Sequence, residues 1–157
     1  MEVDVLQVML EENERHSLDK PAEKMQWTYL HLGSYSGLSK FLSDGNRANV
    51  YVLDGIFLTK EESDGEPEFL ADIATTTIKE KNISARILWY ANTTHQQRAR
   101  EMGVEFFTKG YDSPEKVAQR ISAILHNSKR SEINNSPLHK AFAVRKDSGI
   151  YSQQSLL

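Results

Sequence analysis

The sequence contains no cysteine, which excludes disulfide staples, thiolate metal sites and a cysteine nucleophile together. No apolar run approaches the roughly 20 residues needed to span a bilayer, so membrane insertion is not expected. The opening Met-Glu-Val-Asp lacks the basic start and small-residue cleavage site of a signal peptide, and the expected location is cytoplasmic. A Gly-rich phosphate loop is missing as well. Gly33 and Gly37 flank Ser34-Tyr35-Ser36 without the following lysine and hydroxyl residue, which excludes an ordinary nucleoside triphosphatase. The five histidines (His16, His31, His95, His126 and His139) never recur one helical turn apart, which argues against a histidine metal site. His31 reads as a packing residue. There is no internal repeat.

Positive charge is also scarce where a binding surface would need it. Residues 1–125 carry 14 Lys and Arg against 20 Asp and Glu, while residues 126–157 carry 5 against 2. An acidic body does not attract nucleic acid, because that attraction comes mainly from neutralising phosphates with Lys and Arg. At 157 residues the chain suits one domain and a tail. The domain is expected over residues 1–125 and a flexible C-terminal tail over 126–157, where Asn, Ser, Lys and Gln dominate and Pro137 and Gly149 interrupt any helix. Within that tail, Leu138, Ala141, Phe142 and Val144 form an apolar patch suited to docking.

What is present is an alternation of short apolar runs and helical patterns. Asn49 to Gly55, Ala85 to Ala91 and Val104 to Thr108 read as strands buried on both faces. Val3 to Leu10 and Trp27 to Leu32 are two further strand candidates. Phe69, Leu70, Ile73, Ala74, Thr77 and Ile78 recur at helical spacing, with Pro67 suited to the first turn. Thr94 to Met102 is a helix stopped by Gly103, and Ser113-Pro114 caps a last helix with Val117, Ile121, Ile124 and Leu125 on one face. Shorter helices are expected over about Asn13 to Lys24 and Leu38 to Leu42. Strict alternation implies an α/β fold: a flavodoxin-like, doubly wound, five-stranded parallel sheet of order 2-1-3-4-5 with helices on both faces.

In such a sheet the active crevice lies beyond the carboxyl ends of the strands. Those ends carry Glu11-Glu12, Asp54, the stretch Tyr90-Ala91-Asn92-Thr93, and Lys109. Clustered carboxylates repel unless a cation sits among them, and Mg2+ suits carboxylate oxygens. An aspartate beside Mg2+ and a lysine can act as a nucleophile toward phosphorus, giving an aspartyl phosphate.

On these residues the chain resembles the receiver domain of response regulators in two-component signalling. The resemblance runs from about Val3 to Leu125 and is carried best by Val50-Tyr51-Val52-Leu53-Asp54-Gly55 and Met102-Gly103-Val104-Glu105-Phe106-Phe107-Thr108-Lys109. It implies that Asp54 is the phosphoacceptor, Lys109 the invariant lysine, Glu11 and Glu12 the acidic metal-binding pair, and the main-chain carbonyl of Ile56 a further Mg2+ ligand. It also implies a histidine kinase or phosphotransfer protein as phosphoryl donor, a phosphorelay role, and a downstream protein partner. Several positions depart from the pattern. The acidic pair is Glu rather than Asp, the switch hydroxyl residue is Tyr90, and Gly110 stands where a proline usually follows the lysine. Ile56 to Glu66 forms a longer acidic loop with Glu61, Glu62 and Asp64. The member implied is therefore an atypical, single-domain one.

Two alternatives remain open on the sequence. One is a degenerate receiver-like interaction module that is never phosphorylated. The other is a haloacid dehalogenase-like phosphatase, for which Val52 stands where the nucleophilic Asp would be needed.

Overall fold

Three of the five strand segments become central strands, whereas Val104 to Thr108, expected to be buried on both faces, forms a half-buried edge strand. In the computed structural model, which describes residues 1–9, 11, 14, 16–58 and 67–135, β1 (Glu2–Val8), β3 (Arg47–Leu53) and β6 (Arg86–Ala91) are almost continuously buried. Covering on both faces is what permits such runs in a parallel sheet. The edge strands β2 (Tyr29–Leu32) and β7 (Glu105–Thr108) are half-buried throughout. All neighbours pair parallel in the order β2-β1-β3-β6-β7, which is the expected order 2-1-3-4-5 of the core strands.

The sequence reading did not anticipate a second sheet. Between β3 and the next helix, β4 (Ile56–Leu58) and β5 (Pro67–Phe69) pair antiparallel, with Pro67 opposite Leu58. Pro67 thus sits in an edge strand, where its missing N–H costs no ladder bond, rather than in a helical first turn. Helix α3 (Ala71–Lys81) starts later, and its buried face is Ala71, Ala74, Thr75 and Ile78. Ile73, expected on that face, is exposed. Thr75 is turned inward because its Oγ1 accepts the Trp89 indole N–H at 2.9 Å, which satisfies a polar atom on a fully buried ring. The loop residues Glu61, Glu62 and Asp64 lie outside the described residues.

The remaining helices follow their local signals. Helix α1 (Asp19–Met25) ends at Gln26, whose φ of 59° makes it the one non-glycine residue with positive φ among those described. Helix α2 (Tyr35–Ser43) is capped by Ser34, whose Oγ accepts the Gly37 N–H at 3.1 Å. A single 3-10 turn (Thr93–His95) leads into α4 (Gln96–Met102), and Gly103 closes it at φ 71°. The final helix, α5 (Pro114–Asn135), opens with Ser113 Oγ accepting the Lys116 N–H at 3.2 Å.

One face of the sheet packs Leu6, Tyr51, Leu53 and Trp89 with Leu38 and Leu42 of α2, Ile78 of α3 and Ala99 of α4. On the other face Val5, Val50, Val52 and Leu88 are buried, as are Ala22 of α1 and Val117 and Ala118 at the start of α5. The chain divides into two units, Met1–Arg120 and Ile121–Leu157. In the second, Ile121, Ile124 and Leu125 are buried. Residues 126–135, expected as the start of a tail, are helical, while Leu138, Ala141, Phe142 and Val144 lie outside the described residues. The helix runs on because no Gly or Pro occurs before Pro137.

Candidate functional site

Asp54 follows β3 directly, at the carboxyl edge of the central strand. Its main-chain N–H donates to Val8 O at 2.9 Å, which ties the residue to the end of β1. The side chain is buried, and both carboxylate oxygens are engaged. Oδ1 accepts the Gly55 N–H at 2.7 Å, and Oδ2 receives Lys109 Nζ at 2.6 Å. Lys109 follows β7 and is fixed by its own N–H to Ala91 O at 2.9 Å. Its ammonium also meets Glu14 Oε2 at 2.6 Å, so one cation bridges two carboxylates from different parts of the chain. Burial works against the charged lysine, but the hydrogen bonds that its ammonium donates to Asp54 and Glu14 outweigh it and hold the pKa above the ordinary lysine value.

The structure therefore brings Asp54 and Lys109 together and adds Glu14. Of the expected acidic pair, Glu11 is exposed and makes no ion pair among the described residues, and Glu12 lies outside them. Sequence supplied three carboxylates within four positions, and it is the course of the chain after β1 that brings Glu14 to Lys109. That course is set by Gln7, fully buried in β1, whose Nε2 donates to Glu14 O at 3.3 Å and to Ser17 Oγ at 3.2 Å. Tyr29 O–H donates in turn to Gln7 Oε1. Ile56 begins β4, paired with Phe69.

The turn after β7 explains the glycine at position 110. Gly110 adopts φ 80°, which the ring of a proline forbids. Asp112 closes the turn by accepting the Thr108 N–H at 2.7 Å, and Lys116 Nζ at 2.6 Å secures its other oxygen. Both bonds favour the carboxylate, so Asp112 sits below the usual aspartate range, with Lys116 the larger cause. Tyr90, buried at the end of β6, donates its hydroxyl to Asp112 O at 2.6 Å. Burial pushes its phenol pKa up, and Asp112, Glu115 and Glu14 add to the effect. Met9, Glu14, Ser17, Tyr90, Lys109 and Gly110 line a polar cleft of about 230 Å³ beside the ion pairs.

Val52 is buried within β3, so no nucleophile stands where a dehalogenase-type reaction would need one. Among the described residues, no helix is long and apolar enough to cross a membrane.

No family model matches the sequence, and no curated protein matches it. Solved structures do. A response regulator receiver domain protein from Clostridium thermocellum superposes with a TM-score of 0.63 at 15% identity, covering 80% of this chain and 96% of that one. The chain has the receiver fold. A response regulator receiver protein from Sinorhizobium medicae shares the receiver fold with a TM-score of 0.64 at 13% identity, over 78% of this chain and 94% of its own. An atypical orphan response regulator shares it with a TM-score of 0.59 at 19% identity, over 80% and 95%. At these identities the likeness carries the fold, and function has to be argued from the residues that the receiver fold gathers here.

Proposed function

We propose that this chain is a phosphoacceptor signalling domain. In this reading it takes a phosphoryl group on Asp54 from the phosphohistidine of a histidine kinase or phosphotransfer protein and acts through contacts with a downstream protein. The observation that supports this best is the bridge of Lys109 Nζ to both Asp54 Oδ2 and Glu14 Oε2 at the carboxyl edge of the sheet. A strand-end aspartate held beside an ammonium and a second carboxylate is the donor set that phosphoryl transfer to a carboxylate requires.

The chemistry of that set fits Mg2+: two carboxylates outweigh one ammonium, and imidazole and thiolate are not among the three groups. Asp54 and Glu14 would hold the ion, with the Ile56 carbonyl as a further expected oxygen; bound there, it would offset charge on the phosphoryl oxygens. An Asp54 oxygen lone pair forms the new bond to phosphorus while the bond from phosphorus to the donor nitrogen breaks. The leaving imidazole keeps that electron pair. Lys109 releases Asp54 Oδ2 and offers its N–H groups to a phosphoryl oxygen, and Glu14 keeps the ammonium aimed into the cleft.

A second reading is favoured by Tyr90. Its buried phenol is committed to Asp112 O, where a small hydroxyl residue would be free to reach a phosphoryl group. An interaction module that works unphosphorylated would keep this arrangement fixed. The similar atypical orphan response regulator is described as revealing a phosphorylation-independent regulatory mechanism.

Amide NMR titration with Mg2+ and then beryllofluoride, a phosphoryl mimic, separates the two. Saturable shifts at Glu14, Asp54, Gly55 and Lys109 that vanish in Asp54→Asn support phosphoacceptance. Their absence at millimolar Mg2+ supports the unphosphorylated module.

A further inference from the structure

Histidine spacing along the chain argues against a histidine metal site, yet folding brings two of the histidines together. His16 lies in the turn before α1, Asp19 opens α1, and His31 is the third residue of β2. The imidazoles of His16 and His31 meet edge to face with centroids 4.5 Å apart. His16 Nδ1 stands 2.7 Å from Asp19 Oδ2. One ligand atom from each of the three residues lies within 4.8 Å of the other two. We propose that His16, Asp19 and His31 form a transition-metal site, with zinc as the ion it takes and a fourth position open to water.

The donor chemistry selects the class of ion. Two imidazole nitrogens and one carboxylate oxygen form a borderline set of the kind found at three-ligand zinc sites, and a poor set for Mg2+ or Ca2+. Tetrahedral zinc with bonds of about 2.0–2.1 Å separates its ligand atoms by about 3.3 Å. The hydrogen-bonded His16–Asp19 pair therefore has to open by about half an ångström as the metal replaces the shared proton. Wider pairs close by up to about 1.5 Å, within the reach of side-chain rotation. The side chains that would rotate are the exposed ones: His16 and Asp19 are 48% and 47% exposed.

Rigidity comes from the third ligand. His31 is held in register opposite Gln7 of β1 and is only partly exposed. The Tyr29 ring packs beside it, tilted, with the centroids 5.8 Å apart. Gln7, through Glu14 O and Ser17 Oγ, braces the segment that carries His16. A helix-start ion pair would by itself explain the contact of His16 with Asp19. It would not bring a second imidazole from a neighbouring strand to the same point.

The test uses the full chain stripped of metal by chelation and titrated with Zn2+ against a chromogenic chelator. One equivalent should bind, and the imidazole resonances of His16 and His31 should shift while those of His95, His126 and His139 stay in place. Exposed His16→Ala and Asp19→Asn spare the fold, as melting of the metal-free variants will report. Each should weaken Zn2+ binding at least about tenfold, since even outer-shell partners of a metal site cost that much. His31→Gln, which keeps a polar side chain in β2, should do the same. Zn2+ affinity unchanged in His16→Ala and His31→Gln, or shifts confined to other histidines, would overturn the site. Because Asp54 takes no part, this outcome is independent of whether Asp54 accepts a phosphoryl group.

Discussion

The imidazole of His95 lies against the main chain of Gly55: a Cβ at residue 55 would stand 2.5 Å from His95 Cδ2 and 2.9 Å from Cγ and Nε2. The residue after Asp54 is thereby tied to the segment after Tyr90, and the requirement for glycine there is steric rather than conformational. Gly55→Ala should cost about 1–3 kcal/mol in urea unfolding, as overpacking does in a well-filled site. In the double variant with His95→Ala the penalty of the added methyl should largely disappear. Equal penalties in the two backgrounds would mean that the ring swings away without cost.

Among the described residues, Lys109 is the cation that bridges Asp54 and Glu14, so its removal leaves like charges facing each other. Lys109→Met should lose about 1–3 kcal/mol at neutral pH, the cost of leaving poorly solvated charged groups without their partner. The pH dependence has a definite sign. Because the folded pKa lies above the ordinary lysine value, the contribution is fully present below that value and fades as pH rises through the folded one. The gap between wild type and Lys109→Met should therefore be constant from pH 6 to pH 9 and narrow in stronger alkali. A gap that closed in mild acid instead would implicate the carboxylates as the titrating groups.

Much of this was legible in the sequence, for identifiable reasons. The strands around Val50 and Leu88 are central and parallel, and burial on both faces leaves a short, β-branched and aromatic apolar run whose length suits a strand. Asp54 and Lys109 follow from strand ends, because a parallel sheet aligns them along one edge. Glu14 was not legible, since it depends on how Gln7 holds the segment after β1, and a buried glutamine in a strand looks like any polar residue in an alternating one. The β4–β5 hairpin was hidden by Pro67, equally at home in an edge strand or a first helical turn. The pairing of His16 with His31 was hidden because the turn that carries one and the strand that carries the other are distant in sequence.

Glu105 offers a test of surface electrostatics away from the candidate site. Arg120 binds it through Nε at 2.8 Å and Nη2 at 2.6 Å, and Arg86 Nη2 adds a contact at 3.1 Å. The hydrogen bonds of Arg120 hold the Glu105 pKa below the ordinary glutamate value, against a smaller opposing effect of burial. A depressed folded pKa gives stability that is present above the unfolded value and lost as pH falls through the folded one. Glu105→Gln should therefore lower the free energy of unfolding near neutrality, by the modest amount expected of a half-exposed pair (roughly 0.5–1 kcal/mol). The difference should shrink below about pH 4, where unfolded glutamate also takes up its proton. High salt should shrink it as well. A difference that persisted in acid would point to packing of the arginine stems instead.

On the proposed reading, Tyr90 should limit how far a change at Asp54 travels. Its phenol is anchored to Asp112 O and borders the same cleft as Lys109 and Glu14, so the end of β6 is held whatever happens at the carboxylate. Tyr90→Phe removes only the anchor and should cost about 0.5–1.5 kcal/mol, the net worth of one hydrogen bond. Tyr90→Thr removes the ring as well and should cost more, about 2–4 kcal/mol, because the cleft enlarges where a large side chain was packed. It also supplies a short hydroxyl that no longer reaches Asp112. With beryllofluoride, the shifts in wild type should stay near Glu14, Asp54, Gly55 and Lys109, whereas in Tyr90→Thr they should extend through Asn92 to His95. Tyr90→Phe separates the two effects, because it frees the ring without offering a hydroxyl to the phosphoryl mimic. Spread in both variants would mean that the Asp112 anchor alone blocks the response. Spread in neither would mean that the His95–Gly55 contact, rather than Tyr90, holds this segment still.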